Sequence, residues 1–269
     1  MATIGFVGGG NMAEALIKGI IAANVYSPDN IFVSDVRLER LEFLAKRYHV
    51  QTVDDNAQLA AKADILVLSV KPQNMTEALQ SIKAAIKANT LVISIAAGIK
   101  TSNNTDVLGD IATVRVMPNT PALIGAGAAA MFANTKAAGK LEKAESIFSS
   151  VGEVVVIDNE DLMDAVTAVS GSGPAYYFLL TEEMIKAAVE LGLPEDTAKN
   201  LVLQTAKGAA LLATEADKKG ETPAQLRQKV TSPGGTTEAA LKVFADGKFG
   251  PLVEAAIKKA CERGKQLSM

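Results

Sequence analysis

The first ten residues constrain this chain more than any other stretch. Thr3-Ile4-Gly5-Phe6-Val7 reads as a short buried strand, and it opens directly onto Gly8-Gly9-Gly10-Asn11-Met12-Ala13 and a helical stretch from Glu14 to about Ala23. This is G-x-G-x-x-A in the strand, turn and helix order that a dinucleotide-binding fingerprint requires. In that setting Gly8 permits the tight turn, Gly10 lets a pyrophosphate approach the backbone, and Ala13 lets helix and strand pack closely. The competing reading is a tight β-to-α turn with no ligand.

The following segments repeat the pattern. Ile31-Phe32-Val33-Ser34 is a second strand, ending at Asp35, Val36 and Arg37. An acidic residue in this place usually takes the ribose hydroxyls of NAD, whereas Ser34 and Arg37 suit the 2′-phosphate of NADP. Both signals are present, so the preference stays open; Asp35 could also simply start the helix that follows. Leu38 to Tyr48 has helical spacing, Val50 to Val53 is a short strand or edge, and Asn56 to Lys62 is a further helix. Asp64 to Val70 is an apolar strand running into Lys71-Pro72. Strand C-termini in a doubly wound sheet face the ligand crevice, which puts Lys71 near a cofactor or a developing negative charge unless it is a solvated loop lysine.

Leu91 to Ile95 ends in Ala96-Ala97-Gly98, small enough for a nicotinamide to lie against backbone. Thr113 to Val116 leads into Met117-Pro118-Asn119-Thr120-Pro121, whose prolines fix an irregular loop at the expected rim of the site. Ala128 to Phe132 and Val154 to Ile157 complete the sheet. The expectation is an α/β chain whose N-terminal domain, residues 1–158, is a Rossmann-type doubly wound sheet.

After Asp158-Asn159 no alternating strand is evident. Glu160 to Ser170, Pro174 to Leu191, Pro194 to Ala213, Thr222 to Lys229, Thr237 to Phe244 and Leu252 to Leu267 read as helices, giving an all-helical domain over residues 159–269. Its Ala- and Leu-rich faces fit either an ordinary bundle core or interleaving with a second subunit, and the long apolar helix from Ala175 to Leu191 favours a dimer. Two stretches combine glycine with hydroxyls ahead of a helix. Ser170-Gly171-Ser172-Gly173-Pro174 reads as a loop that either caps the next helix or faces the nucleotide. Thr231-Ser232-Pro233-Gly234-Gly235-Thr236-Thr237 feeds a helix N-terminus whose unpaired N–H groups suit a small carboxylate or phosphate, or else is a plain Ser/Thr-capped turn.

Composition excludes several classes. Net charge is −3 without a basic run, so nucleic acid and anionic membranes are not expected partners. One cysteine, Cys261, and one histidine, His49, leave no internal disulfide and no Cys/His metal site, and both read as structural. No apolar run reaches ~18 residues and the N-terminus lacks a basic leader, so a soluble, cytoplasmic protein is expected.

Gly8-Gly9-Gly10-Asn11-Met12-Ala13, Val70-Lys71-Pro72-Gln73, Ala96-Ala97-Gly98, Met117 to Pro121, Ser170 to Tyr176 and Ser232 to Thr237 together resemble the pyrroline-5-carboxylate reductases, in order along nearly the whole chain. The resemblance implies reduction of 1-pyrroline-5-carboxylate to proline by NADPH or NADH, the last step of proline synthesis. It also implies a homodimer with intertwined helical C-terminal domains, often assembled further into a decamer. Carried onto this sequence, Ser232, Gly234, Gly235, Thr236 and Thr237 hold the substrate, while Gly8, Gly10, Asn11, Met12, Ser34, Asn56, Ser69, Lys71, Pro72 and Ala97 line the cofactor. The substrate carboxylate is expected on the amides of Gly234 to Thr237, with the Thr237 hydroxyl near the ring nitrogen as the catalytic group. This sequence departs at Glu238, where many members carry an apolar residue and which is read as altering the helix without touching the loop, and at Asp35, unusual for members that prefer NADPH.

Two rivals share parts of this pattern. A β-hydroxyacid dehydrogenase would want Lys-x-x-Asn on the long helix, where Lys186 is followed by Ala187, Ala188 and Val189. A nucleotide-binding sensor without chemistry would not need the intact Ser232 to Thr237 loop.

Overall fold

A computed structural model describes residues 2–267. Eight strands form one sheet: β1 (Ile4–Val7), β2 (Ile31–Ser34), β3 (Gln51–Val53), β4 (Ile65–Leu68), β5 (Leu91–Ser94), β6 (Ala112–Met117), β7 (Gly127–Ala133) and β8 (Gly152–Val156). Their order is β3-β2-β1-β4-β5-β6-β7-β8, parallel throughout except that β7 runs antiparallel to β6. The chain reverses its direction of strand addition between β1 and β4. In a doubly wound sheet that switch point opens a ligand crevice at the strand C-termini.

Six helices cover the sheet: α1 (Asn11–Ala22), α2 (Leu38–Tyr48), α3 (Asn56–Lys62), α4 (Met75–Ile82), α5 (Thr101–Leu108) and α6 (Leu141–Ser149). Both faces are buried, which is why the central strands are continuous apolar runs and not alternating ones. Ile4, Phe6, Ile65, Val67, Leu91 and Ile93 pack with α1, α2 and α6 on one face, while Val7, Leu66, Leu68 and Val92 pack with α3 and α4 on the other. A Cβ at Gly19 of α1 would lie 2.3 Å from Val151 Cγ1 and 2.9 Å from the Ser150 carbonyl oxygen. Gly19→Ala is therefore expected to cost about 1–3 kcal/mol, read as a lowered urea midpoint, because the helix must back away from the turn before β8.

The helical part continues with α7 (Met163–Val166), α8 (Gly173–Glu190), α9 (Glu195–Asp217), α10 (Pro223–Lys229), α11 (Thr236–Asp246) and α12 (Phe249–Leu267). The chain divides into two compact units. One runs through Pro174 and takes back the stretch from Lys259 onward; the other is Ala175–Lys258. Glu160 to Ser170 is not one regular helix as expected from its spacing. A 3₁₀ turn at Glu160–Leu162 and α7 lead into a π-helical turn over Thr167–Gly171. Nor is Ser170 to Pro174 a loop: the Ser172 N–H bonds to the Thr167 carbonyl, so the widened turn carries the small residues directly into α8. A Cβ at Gly171 would meet Met117 Cε at 2.5 Å, which explains a glycine there without a cap. Among the described residues no helix is long and apolar enough to cross a membrane, and no cluster of His, Cys, Asp or Glu could hold a metal ion.

Candidate functional site

The cleft lies at the C-terminal ends of β1, β2 and β4. It encloses about 510 Å³ and is lined by Gly8, Gly10, Ser34, Asp35, Arg37, Asn56, Ser69 and Lys71, among others. Asn11, Met12, Pro72 and Ala97 are not part of that lining. Gly8 has φ +95°, and a Cβ on it would lie 2.9 Å from the Ser69 carbonyl oxygen. Only glycine fits such a turn without strain. Gly10 is different: it is the N-terminal flank of α1 in extended conformation, and a Cβ there meets no protein atom within 4 Å. Its missing side chain leaves the helix end open, the arrangement a pyrophosphate needs. Ala13 is fully buried, as close packing of α1 on β1 demands.

Polar side chains brace this cleft. The Ser69 hydroxyl donates to Gly8 O at 2.6 Å, tying the end of β4 to the glycine turn. The Ser34 hydroxyl, almost wholly buried, donates to Asn56 Oδ1 at 2.6 Å, and Asn56 Nδ2 donates to Ser81 at 3.0 Å. Asp35 is already fully engaged by protein: Oδ2 accepts from Gly9 N–H at 2.8 Å and from Arg37 Nη2 at 3.1 Å, and Oδ1 accepts from the backbone and Nε of Arg37, both at 3.0 Å. Burial raises the Asp35 carboxyl, but the bonds from Arg37 and Gly9 and the Arg37 charge outweigh it and hold the group below its ordinary value of 3.8.

A lowered carboxyl stabilises the fold fully above its unfolded value, and that stabilisation is lost as pH falls through the lowered one. Asp35→Asn should accordingly cost about 1–2 kcal/mol at neutral pH and remove part of the acid limb below about pH 4, measured by urea unfolding across pH.

In the second unit, α11 begins at Thr236 with Gly235 as its flanking residue and no side-chain cap. Gly234 adopts φ +70°, a left-handed turn that favours glycine. The Gly235 N–H donates to Ser232 O at 3.0 Å, closing the turn. The first intrahelical bond runs from Ala239 N–H to Gly235 O, which leaves the amides of Thr236, Thr237 and Glu238 directed out of the helix end. Glu238 does touch the loop, contrary to expectation: its Oε2 accepts from Gly234 N–H at 2.8 Å. A glutamate in the first turn of a helix reaches back to an amide ahead of it, as in a capping box.

Comparison with known proteins bears on both units. Residues 160–267 match a family model described as pyrroline-5-carboxylate reductase dimerisation, and residues 3–98 match one described as NADP oxidoreductase, coenzyme F420-dependent. The chain is 45% identical to a pyrroline-5-carboxylate reductase of Pseudomonas aeruginosa over 98% of its own length and 96% of the relative's. The chain belongs to the pyrroline-5-carboxylate reductase family. A solved reductase of this family from Coxiella burnetii superposes with a TM-score of 0.92 at 42% identity, over 100% of this chain and 99% of that one. The reductase from Plasmodium falciparum, solved with NADP bound, superposes with a TM-score of 0.88 at 34% identity, over 100% and 98%.

Several residues of this reductase fold have contacts that their place in the sequence does not show. Gly9 is the glycine whose Cβ would collide with α2, 2.9 Å from Leu44 Cδ1. Arg40 donates to the carbonyls of Gly9 and Gly10. Gly98 also borders the end of α12: at φ +76° a Cβ would stand 3.0 Å from the carbonyl oxygen of Leu267. Asn119, in the proline loop, accepts from Ala128 N–H at 2.9 Å and donates to Ser170 O at 3.1 Å, tying the rim loop to the π-helical turn.

Proposed function

We propose that this chain reduces 1-pyrroline-5-carboxylate to proline with NADPH or NADH, the closing step of proline synthesis. The observation that supports this best is the pairing of a left-handed Gly8 with an unobstructed Gly10 at the switch point of the sheet, a cradle that a side chain at residue 10 would fill. In this reading Gly8, Gly10, Asn11, Met12, Ser34, Asn56, Ser69, Lys71, Pro72 and Ala97 hold the nucleotide, with Asp35 and Arg37 at its ribose. When bound, the nucleotide supplies the hydride that the imine carbon takes up.

The chain's own residues do the rest. The substrate carboxylate sits on the outward amides of Thr236 and Thr237, where the helix end favours an anion. Ser232, Gly234 and Gly235 shape that loop. The Thr237 hydroxyl orients the ring nitrogen and relays a proton to it from water, so that C=N becomes CH–NH. None of these residues is a histidine or cysteine, and the acceleration comes mainly from holding two reactants in line.

The engagement of Asp35 bears on nucleotide preference. Its oxygens are spent on Gly9 and Arg37, while the Arg37 side chain is 62% exposed at the cleft. An exposed guanidinium so held suits a 2′-phosphate, so NADPH is preferred. Arg37→Ala should raise KM for NADPH about tenfold more than KM for NADH, measured with the two nucleotides in parallel.

The subunit assembles as a homodimer and further into a decamer in this reading. The Ala175–Lys258 unit leaves Tyr177, Phe178, Leu201, Leu211, Leu212, Val243 and Phe244 exposed, apolar surface that a second copy would cover. Purified protein should oxidise NADPH only when the cyclic imine is added. A rate indifferent to the imine would overturn the proposal.

A further inference from the structure

We infer that Arg40 is a positioning residue of the nucleotide site, holding the glycine turn from the side away from the cleft; this rests on the nucleotide-binding reading above. Both backbone polar groups of Gly9 are held by the segment that follows β2. Its N–H donates to Asp35 Oδ2 at 2.8 Å, and its carbonyl accepts from Arg40 Nε at 2.5 Å. The same guanidinium reaches Gly10 O through Nη2 at 3.4 Å and Glu14 Oε2 at 2.5 Å. The other oxygen of Glu14 accepts from the Tyr48 hydroxyl at 2.7 Å. The guanidinium also lies 5.0 Å from the Phe43 ring centroid, and it is largely buried, 17% exposed.

This arrangement fixes a flexible turn. Three successive glycines have little preference for one conformation. A helix end captures a pyrophosphate only when its amides face the ligand, so the neighbouring carbonyls must turn the other way. Arg40 takes those carbonyls with one rigid fork. Lysine, a point charge on a mobile stem, cannot bridge two carbonyls and a carboxylate in that geometry. Glu14 compensates the Arg40 charge: burial raises its carboxyl, but the bonds from Arg40 and Tyr48 hold it below its ordinary range. Arg40 consequently contributes the shape of the turn and little net attraction for phosphate. Arg37, exposed and on the cleft side, has the opposite role.

The test is separate titration of NADPH and NADH onto the full chain, followed by nicotinamide fluorescence, for wild type, Arg40→Ala, Arg40→Lys and Glu14→Ala. Failure of the wild type to bind either nucleotide would remove the underlying reading. With wild-type binding intact, both Arg40 variants should weaken both nucleotides about tenfold, leave their ratio unchanged, and raise the nucleotide KM more than they lower kcat. Glu14→Ala should give a smaller loss in the same sense, and it carries the test if the Arg40 variants do not fold. Unchanged affinities in folded variants would reduce the cluster to a surface ion pair, and a loss confined to NADPH would make Arg40 a phosphate ligand; either result overturns the inference.

Discussion

Gly10→Val is expected to fold normally and to lose nucleotide binding. Gly10 sits at φ −67° and ψ −175°, a conformation valine adopts readily, and no protein atom lies within 4 Å of a Cβ built there. The branched side chain would instead stand over the amides of the first turn of α1, where a phosphate must come within hydrogen-bond distance. The thermal midpoint should move by less than about 2 °C, while affinity for either nucleotide falls at least about 100-fold. Gly8→Ala makes the reverse demand. With φ +95° and a backbone oxygen 2.9 Å from its Cβ, it should lose about 1–3 kcal/mol of stability before any effect on binding is considered. Normal nucleotide affinity in Gly10→Val would mean that the open side of this turn is not the binding side.

Thr237→Ala is expected to lower kcat/KM for the imine by about 100-fold while leaving nucleotide affinity in place. The amides of Thr236 and Thr237 remain at the end of α11 in this variant, so the carboxylate keeps its anchor and the loss falls mainly on kcat. Thr237→Ser, which retains a hydroxyl, should recover most of the rate. Retention of both kcat and KM by Thr237→Ala would strike the hydroxyl from the mechanism and leave the α11 end as an anion site alone.

The sheet was legible because its central strands are buried on both faces, which writes runs such as Ile65 to Leu68 as unbroken apolar stretches. The roles of Gly8 and Ala13 were legible too, since one rests on a backbone angle and the other on a contact within a single strand and helix. Gly9 was not, because the atom that excludes a side chain there belongs to Leu44, on a helix whose position follows from tertiary packing. Nothing in the sequence marks Arg40; its partners, Gly9 and Gly10, lie about thirty residues earlier and carry no side chains to signal it. Gly98 illustrates the limit at longer range, since its neighbour Leu267 comes from the far end of the chain.

The helical half was less legible for a different reason. Ser170 to Pro174 has the composition of a loop, and small residues also suit a π-helical turn packed against Met117. Propensity alone favours the loop; the contact decides otherwise. Helix position alone does not reveal what Glu238 does, since its carboxylate bends back onto Gly234 N–H. Helix α5 shows the same override. Its Thr101-Ser102-Asn103-Asn104-Thr105 start favours turns, yet Glu160 accepts both the amide and the hydroxyl of Thr101 and anchors the first turn.

If this chain passes hydride from NADPH to the imine carbon of 1-pyrroline-5-carboxylate, a labelled hydride will follow it into the product. NADPH carrying deuterium at nicotinamide C4, on the face transferred, is incubated with the purified protein and 1-pyrroline-5-carboxylate, and the product is examined by mass spectrometry and NMR. Proline should form with one deuterium on the ring carbon remote from the carboxylate, in step with nucleotide oxidation. Nucleotide oxidation without labelled proline, or no oxidation by a protein that binds NADPH, would contradict that transfer.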